Sequence, residues 1–162
     1  MPGRILIADD VATNRIVMKV KLNEACYEVL QAEGGRGALR LARAERPDLI
    51  LLDVLMPDMD GITVCRKLRA DPATAEIPVI MITGQRDPAA KMRALKAGAD
   101  DFLSKPLDDA ILLARVRSLL RARETAQELA LRDGTRRALG FQEAARGFAP
   151  PGRIALVAHS RE

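Results

Sequence analysis

Five short apolar runs alternate with stretches of helical spacing, and four of the five end on a residue that carries chemistry. Arg4–Ala8 reads as a buried strand followed at once by Asp9 and Asp10. Residues 27–32 form a second run, residues 48–52 a third that ends at Asp53, and residues 78–82 a fourth that ends at Thr83. Asp101–Ser104 is a short fifth run, closed by Lys105 and Pro106. Between them, residues 13–24, 35–45, 61–70 and 88–97 have helical spacing, with Ile16, Val20 and Leu22 among the apolar positions of the first. Pro47 and Asp71-Pro72 stop two of these helices, and Gly98 is placed to end a third. Asp108 is placed to cap a last helix that extends to about Arg132.

The runs are continuously apolar, as in strands covered by helices on both faces. The expected fold is therefore α/β, a doubly wound five-stranded parallel sheet with an extended C-terminal helix. In such sheets, ligands bind beyond the carboxyl ends of the strands. Asp9, Asp10, Asp53, Thr83 and Lys105 are all expected at that edge. Three crowded carboxylates repel unless a cation intervenes. Oxygen-only ligands suit a hard ion such as Mg²⁺. With an ammonium and a hydroxyl added, the set suits transfer of a phosphoryl group onto a carboxylate.

Composition narrows the classes. Hydrophobic residues at 48 % and charged residues at 30 % are enough for a packed core. Aromatics at 2 % argue against single-strand nucleic-acid platforms and against a flavin site. Two cysteines, Cys26 and Cys65, are too few for a disulfide framework or a metal cluster, and both are expected as buried thiols. No apolar run is long enough to span a bilayer and no secretory leader is evident, so a cytoplasmic location is expected. Gly34-Gly35-Arg36-Gly37 lacks the third glycine of a dinucleotide loop and reads as a helix start. The lone His159 forms no catalytic cluster. Residues 108–162 hold ten arginines and no lysine against seven acids. Arg115, Arg117, Arg121 and Arg123 read as a solvated helix face, some of them able to pair with Asp100, Asp101 or Asp108 across a dimer. Nucleic-acid binding is not expected, because no helix-turn-helix pattern follows.

The motifs Ile-Ala-Asp9-Asp10, Leu-Leu-Asp53-Val-Leu-Met-Pro57-Asp-Met-Asp60-Gly61, Ile82-Thr83-Gly84, Gly98-Ala99-Asp100-Asp101-Phe102 and Ser104-Lys105-Pro106 together resemble the receiver domain of bacterial two-component response regulators. The resemblance covers about residues 3–125 and implies the CheY-like, flavodoxin-like receiver fold. It implies that Asp53 is the phosphoacceptor, taking its phosphoryl group from a sensor histidine kinase. It implies that Asp9, through water, and Asp10, Asp53 and the Leu55 carbonyl surround Mg²⁺. Lys105 and Thr83 would contact the phosphoryl group, Thr83 and Phe102 would act as the switch, and the bond to Pro106 would be cis. Gly61 is structural by the same resemblance. Phe102 stands where many relatives carry Tyr, so a tyrosine hydroxyl is missing from that switch. The competing class is an Mg²⁺-dependent phosphatase or phosphotransferase with an aspartyl nucleophile. Against it, the first-strand acids are adjacent, whereas a haloacid-dehalogenase-like phosphatase spaces them by two.

Pro2-Gly3-Arg4-Ile5 recurs as Pro151-Gly152-Arg153-Ile154, again followed by apolar residues. The expected organisation is a receiver over 1–125, a helix extension and linker over 126–151, and at 152–162 the first strand of a truncated second receiver-like domain. With the extended helix, this is similar to PleD-type regulators, which place two receivers before a diguanylate cyclase domain. That likeness implies phosphorylation-driven homodimerisation and an output domain absent from these 162 residues, making cyclic di-GMP. The chain itself is expected to be a signalling module and not an enzyme. In the repeat register, Ala158 and His159 stand where Asp9 and Asp10 stand in the first copy, so the second domain would be an adaptor without Mg²⁺.

Overall fold

The computed structural model describes residues 3–84 and 88–160, with side chains described through residue 139. The elements alternate as β1 (Arg4–Ala8), α1 (Ala12–Glu24), β2 (Glu28–Ala32), α2 (Gly35–Glu45), β3 (Leu49–Asp53), α3 (Gly61–Ala70), β4 (Val79–Thr83), α4 (Pro88–Lys96), β5 (Asp101–Ser104) and α5 (Asp109–Ser160). The strands form one parallel sheet in the order β2-β1-β3-β4-β5. Chain order reverses at β1, which lies between β2 and β3, so the crevice opens at the carboxyl ends of β1 and β3.

Side chains of the central strands alternate between two cores. Leu6, Ile50, Leu52, Val79 and Met81 pack with Ala38 and Ala42 of α2, Val64, Cys65 and Leu68 of α3 and Ala94 of α4. Ile5, Ile7, Leu49, Leu51, Ile80 and Ile82 pack with Met18 and Leu22 of α1 and Leu112 and Val116 of α5. This is the doubly wound arrangement expected from continuous apolar strands. Each fully buried Leu or Ile contributes about 2 kcal/mol relative to exposure.

Of the apolar positions of helix α1, only some face the sheet. Met18 and Leu22 are inside, whereas Ile16, Val17 and Val20 are exposed. Apolar residues surround much of this helix, so periodicity alone does not select a face. Cys65 is buried as expected, but Cys26 is exposed. It lies beyond the end of α1 at φ 70°, in a turn instead of on the helix. Asp60 caps α3, accepting from the Thr63 backbone N–H at 2.8 Å and the Thr63 hydroxyl at 3.0 Å, a cap worth about 1 kcal/mol.

The first compact unit ends at Arg121, and the second begins at Ala122. In the second unit the backbone stays helical to Ser160, where the sequence reading has a helix extension and linker over 126–151 and a strand from 152. A helix pairs its backbone N–H and C=O groups within itself. Residues 161 and 162, Pro2 of the repeated motif, and the side chains of Ala158 and His159 lie outside the described residues.

Candidate functional site

The strand ends bring the expected residues together. Asp9 directly follows β1, and Asp53 and Thr83 are the last residues of β3 and β4. All three are buried, whereas Asp10 is exposed. One carboxylate oxygen from each of Asp9, Asp10 and Asp53 lies within 4.8 Å of the others. Lys105, just beyond β5, reaches into this group. Its Nζ lies 3.2 Å from Asp53 Oδ2 and 3.6 Å from Asp9 Oδ2. The Lys105-Pro106 peptide bond is cis.

Backbone and neighbouring side chains hold the acids. The Leu55 N–H donates to Asp53 Oδ1 at 3.3 Å. Asp9 accepts from the Val11 N–H at 2.9 Å on one oxygen and from the Asn14 amide at 3.1 Å on the other. The Arg15 guanidinium donates to the Asp9 carbonyl at 2.8 Å. Asn14 and Arg15 escaped sequence reasoning. Their spacing from Asp9 is the one available signal, since it returns them over the strand end after a single helical turn.

Burial pushes the Asp53 carboxyl above its ordinary value of 3.8, and the neighbouring Asp9 carboxylate pushes the same way. Lys105 opposes both without cancelling them. This repulsion tests whether a divalent cation suits the site. An all-oxygen donor set with one exposed member, strained by its own charge, fits Mg²⁺ with part of its water shell retained. The raised value also fixes the sign of a pH effect. Between 3.8 and the raised value the folded chain holds the Asp53 proton more tightly than the unfolded chain does. Folding stability from this group therefore falls as pH rises through that window. In EDTA, wild type is expected to lose stability relative to Asp53→Asn as pH rises above 3.8. Urea unfolding at several pH values checks this, and a pH-independent difference contradicts it.

Phe102 is half-buried and packs against the core on the α2–α3–α4 side. Met81 pairs with Phe102 and Thr83 with Ser104. Thr83 is thus one pair further along the same face of the sheet as Phe102. The Lys105 N–H donates to the Thr83 carbonyl at 2.7 Å, tying the two loops at the pocket mouth.

A parallel sheet of this order, with an acidic pocket at its switch point, defines the CheY-like receiver class of α/β domains. The family model of the response regulator receiver domain matches residues 5–117. The response regulator PleD of Caulobacter vibrioides is 45 % identical over 159 residues, covering 97 % of this chain and 35 % of that protein. The DNA-binding dual master transcriptional regulator RpaA of Synechocystis is 46 % identical over 121 residues, covering 75 % of this chain and 50 % of its own length. Among solved structures, a CheY-like receiver domain protein from Methanospirillum hungatei aligns with TM-score 0.73 at 29 % identity, covering 78 % of this chain and 99 % of that one. The receiver domain of a signal transduction histidine kinase from Syntrophus aciditrophicus aligns with TM-score 0.70 at 43 % identity, covering 74 % and 91 %. The chain belongs to the response regulator receiver domain family. It spans between a third and a half of the length of these two curated relatives. A receiver is a signalling module of two-component systems and not itself catalytic. Among the described residues, no helix is long and apolar enough to cross a membrane.

Proposed function

We propose that Asp53 is the phosphoacceptor of this receiver, charged by the phosphohistidine of a sensor kinase in an Mg²⁺-dependent step. The observation that carries this reading is the Asp53 carboxylate at the pocket floor, with Lys105 at 3.2 Å and two further acids beside it. An Asp53 oxygen forms the new bond to phosphorus as the bond to the donor histidine nitrogen breaks. Asp10, Asp53, the Leu55 carbonyl and, through water, Asp9 would hold the ion, which when bound would supply positive charge against the phosphoryl oxygens. Lys105 leaves its carboxylate partners to meet those oxygens. Phosphorylation adds about −2 of charge and three strong acceptors. Thr83 then turns its hydroxyl toward them, and Phe102, on the same face, fills the space released.

The readout proposed is homodimerisation through α4, β5 and the start of α5. Met92, Leu95 and Ile111 are exposed there, an apolar group suited to burial between copies. Two of the three acids considered as cross-dimer partners are ion-paired within the chain. Asp101 pairs with Arg115 at 2.8 Å and Asp100 with Arg69 at 2.8 Å. Beryllium fluoride with Mg²⁺ is expected to shift the chain from monomer toward dimer in sedimentation velocity. A monomer under all conditions removes the dimer, and steady turnover of a small phosphate ester favours a phosphatase instead.

The parent is proposed to be a cytoplasmic regulator of the PleD type, with residues 152–162 opening a second receiver-like domain and cyclic di-GMP synthesis as the output. The match to PleD runs through 159 residues and so includes the tail, whereas the match to RpaA covers 121. Several other relatives are transcriptional regulators, so a DNA-binding output is the alternative that the downstream sequence decides.

A further inference from the structure

The loop that follows Asp53 is held from outside by a helix end. Helix α2 has Gly34 at its cap position and no side-chain cap of its own. Its first N–H groups are taken instead by Asp58, from the loop between β3 and α3. Gly35 N–H donates to Asp58 Oδ1 and Arg36 N–H to Asp58 Oδ2, each at 3.0 Å. A carboxylate at a helix N-terminus also meets the positive end of the helix dipole. The two donors hold the Asp58 carboxyl below its ordinary value.

The approach requires bare backbone on the α2 side. A Cβ on Gly34 would lie 2.6 Å from Asp58 Oδ1. One on Gly35 would lie 2.7 Å from Val64 Cγ2 and 2.9 Å from the Met59 carbonyl oxygen. The Gly34-Gly35 pair, which as sequence is only a helix start, is the seat of this loop.

We propose that Asp58 is a positioning residue of the acidic pocket: bound across the α2 N-terminus, it pins the β3–α3 loop and so fixes the Leu55 carbonyl where the metal ion is held. The inference rests on the Mg²⁺ reading above. Val54 and Met56 anchor the first part of the loop in the core. Pro57 and Asp58 are exposed and Met59 is half-buried against the core, so the hydrogen-bonded carboxylate joins the Met59 side chain in tying down the apex. Leu55 is itself exposed, between the buried anchors, and a slack apex loosens its carbonyl.

Isothermal titration of Mg²⁺ into the folded chain tests this, with urea unfolding measured on each variant. Asp58→Ala is expected to weaken Mg²⁺ binding about ten-fold, in the range seen when groups orienting metal ligands are removed. Asp58→Asn keeps one acceptor oxygen and is expected to fall between Asp58→Ala and wild type. Gly34→Ala displaces the same carboxylate from the other side and is expected to match Asp58→Ala. The two together are expected to weaken binding no more than either alone, because one contact is lost in each case. If Asp58→Ala fails to fold, Asp58→Asn carries the comparison. Wild-type affinity in Asp58→Ala, with only the urea midpoint lowered, makes the contact a plain helix cap and overturns the inference alone. Wild type that binds no Mg²⁺ overturns the metal reading and this inference with it.

Discussion

With labelled acetyl phosphate and Mg²⁺, wild type is expected to take up one phosphoryl group and Asp53→Asn to lose uptake by on the order of 100-fold or more. The carboxamide lacks the anionic oxygen that attacks phosphorus. No neighbour is placed to substitute for it. Both oxygens of Asp9 already accept hydrogen bonds, from the Val11 N–H and the Asn14 amide. Asp10 is exposed at the rim, whereas Asp53 has the shorter approach to the Lys105 ammonium, 3.2 Å against 3.6 Å for Asp9. Acid-labile and base-labile label, lost in hydroxylamine, identifies an acyl phosphate. Equal labelling of wild type and Asp53→Asn would show that another residue accepts the group.

Gly61→Ala is expected to destabilise the domain by about 3 kcal/mol, the upper range for an atom forced into a filled space. The added Cβ would collide with the Asp53 carbonyl oxygen and lie 3.0 Å from the Val54 Cα. Both are backbone atoms and do not yield as a side chain does. Gly61 is also drawn toward them, since its N–H donates to the Val54 carbonyl at 2.8 Å. Asp53 ends a strand whose five residues are all buried, so the strain reaches the proposed phosphoacceptor directly. Urea unfolding is expected to show the loss, accompanied by slower phosphoryl uptake. Stability within about 0.5 kcal/mol of wild type would refute this reading of the contact.

The sheet and its pocket were legible because they follow from one rule. Parallel strands joined by crossover helices put all their carboxyl ends at one edge. Asp9, Asp10, Asp53, Thr83 and Lys105 therefore meet, although nearly a hundred positions separate the first from the last. Asn14 and Asp58 were not legible in the same way. A polar side chain in a helix or loop has many ordinary uses, and its acceptor or donor is selected only once distant segments meet. The buried face of α1 was not legible for a related reason. Ile16, Val17, Met18, Val20 and Leu22 cover most of the helix circumference, and the position of the sheet decides between them. Over residues 126–160 the helical backbone pairs its N–H and C=O groups within itself.

The short hydrogen bond from Lys105 N–H to the Thr83 carbonyl makes the two sides of the pocket mouth a single linkage. A hydroxyl pulled inward on β4 and an ammonium drawn inward beside β5 are not two independent levers. In the proposed switch, displacing the backbone at one would drag the other.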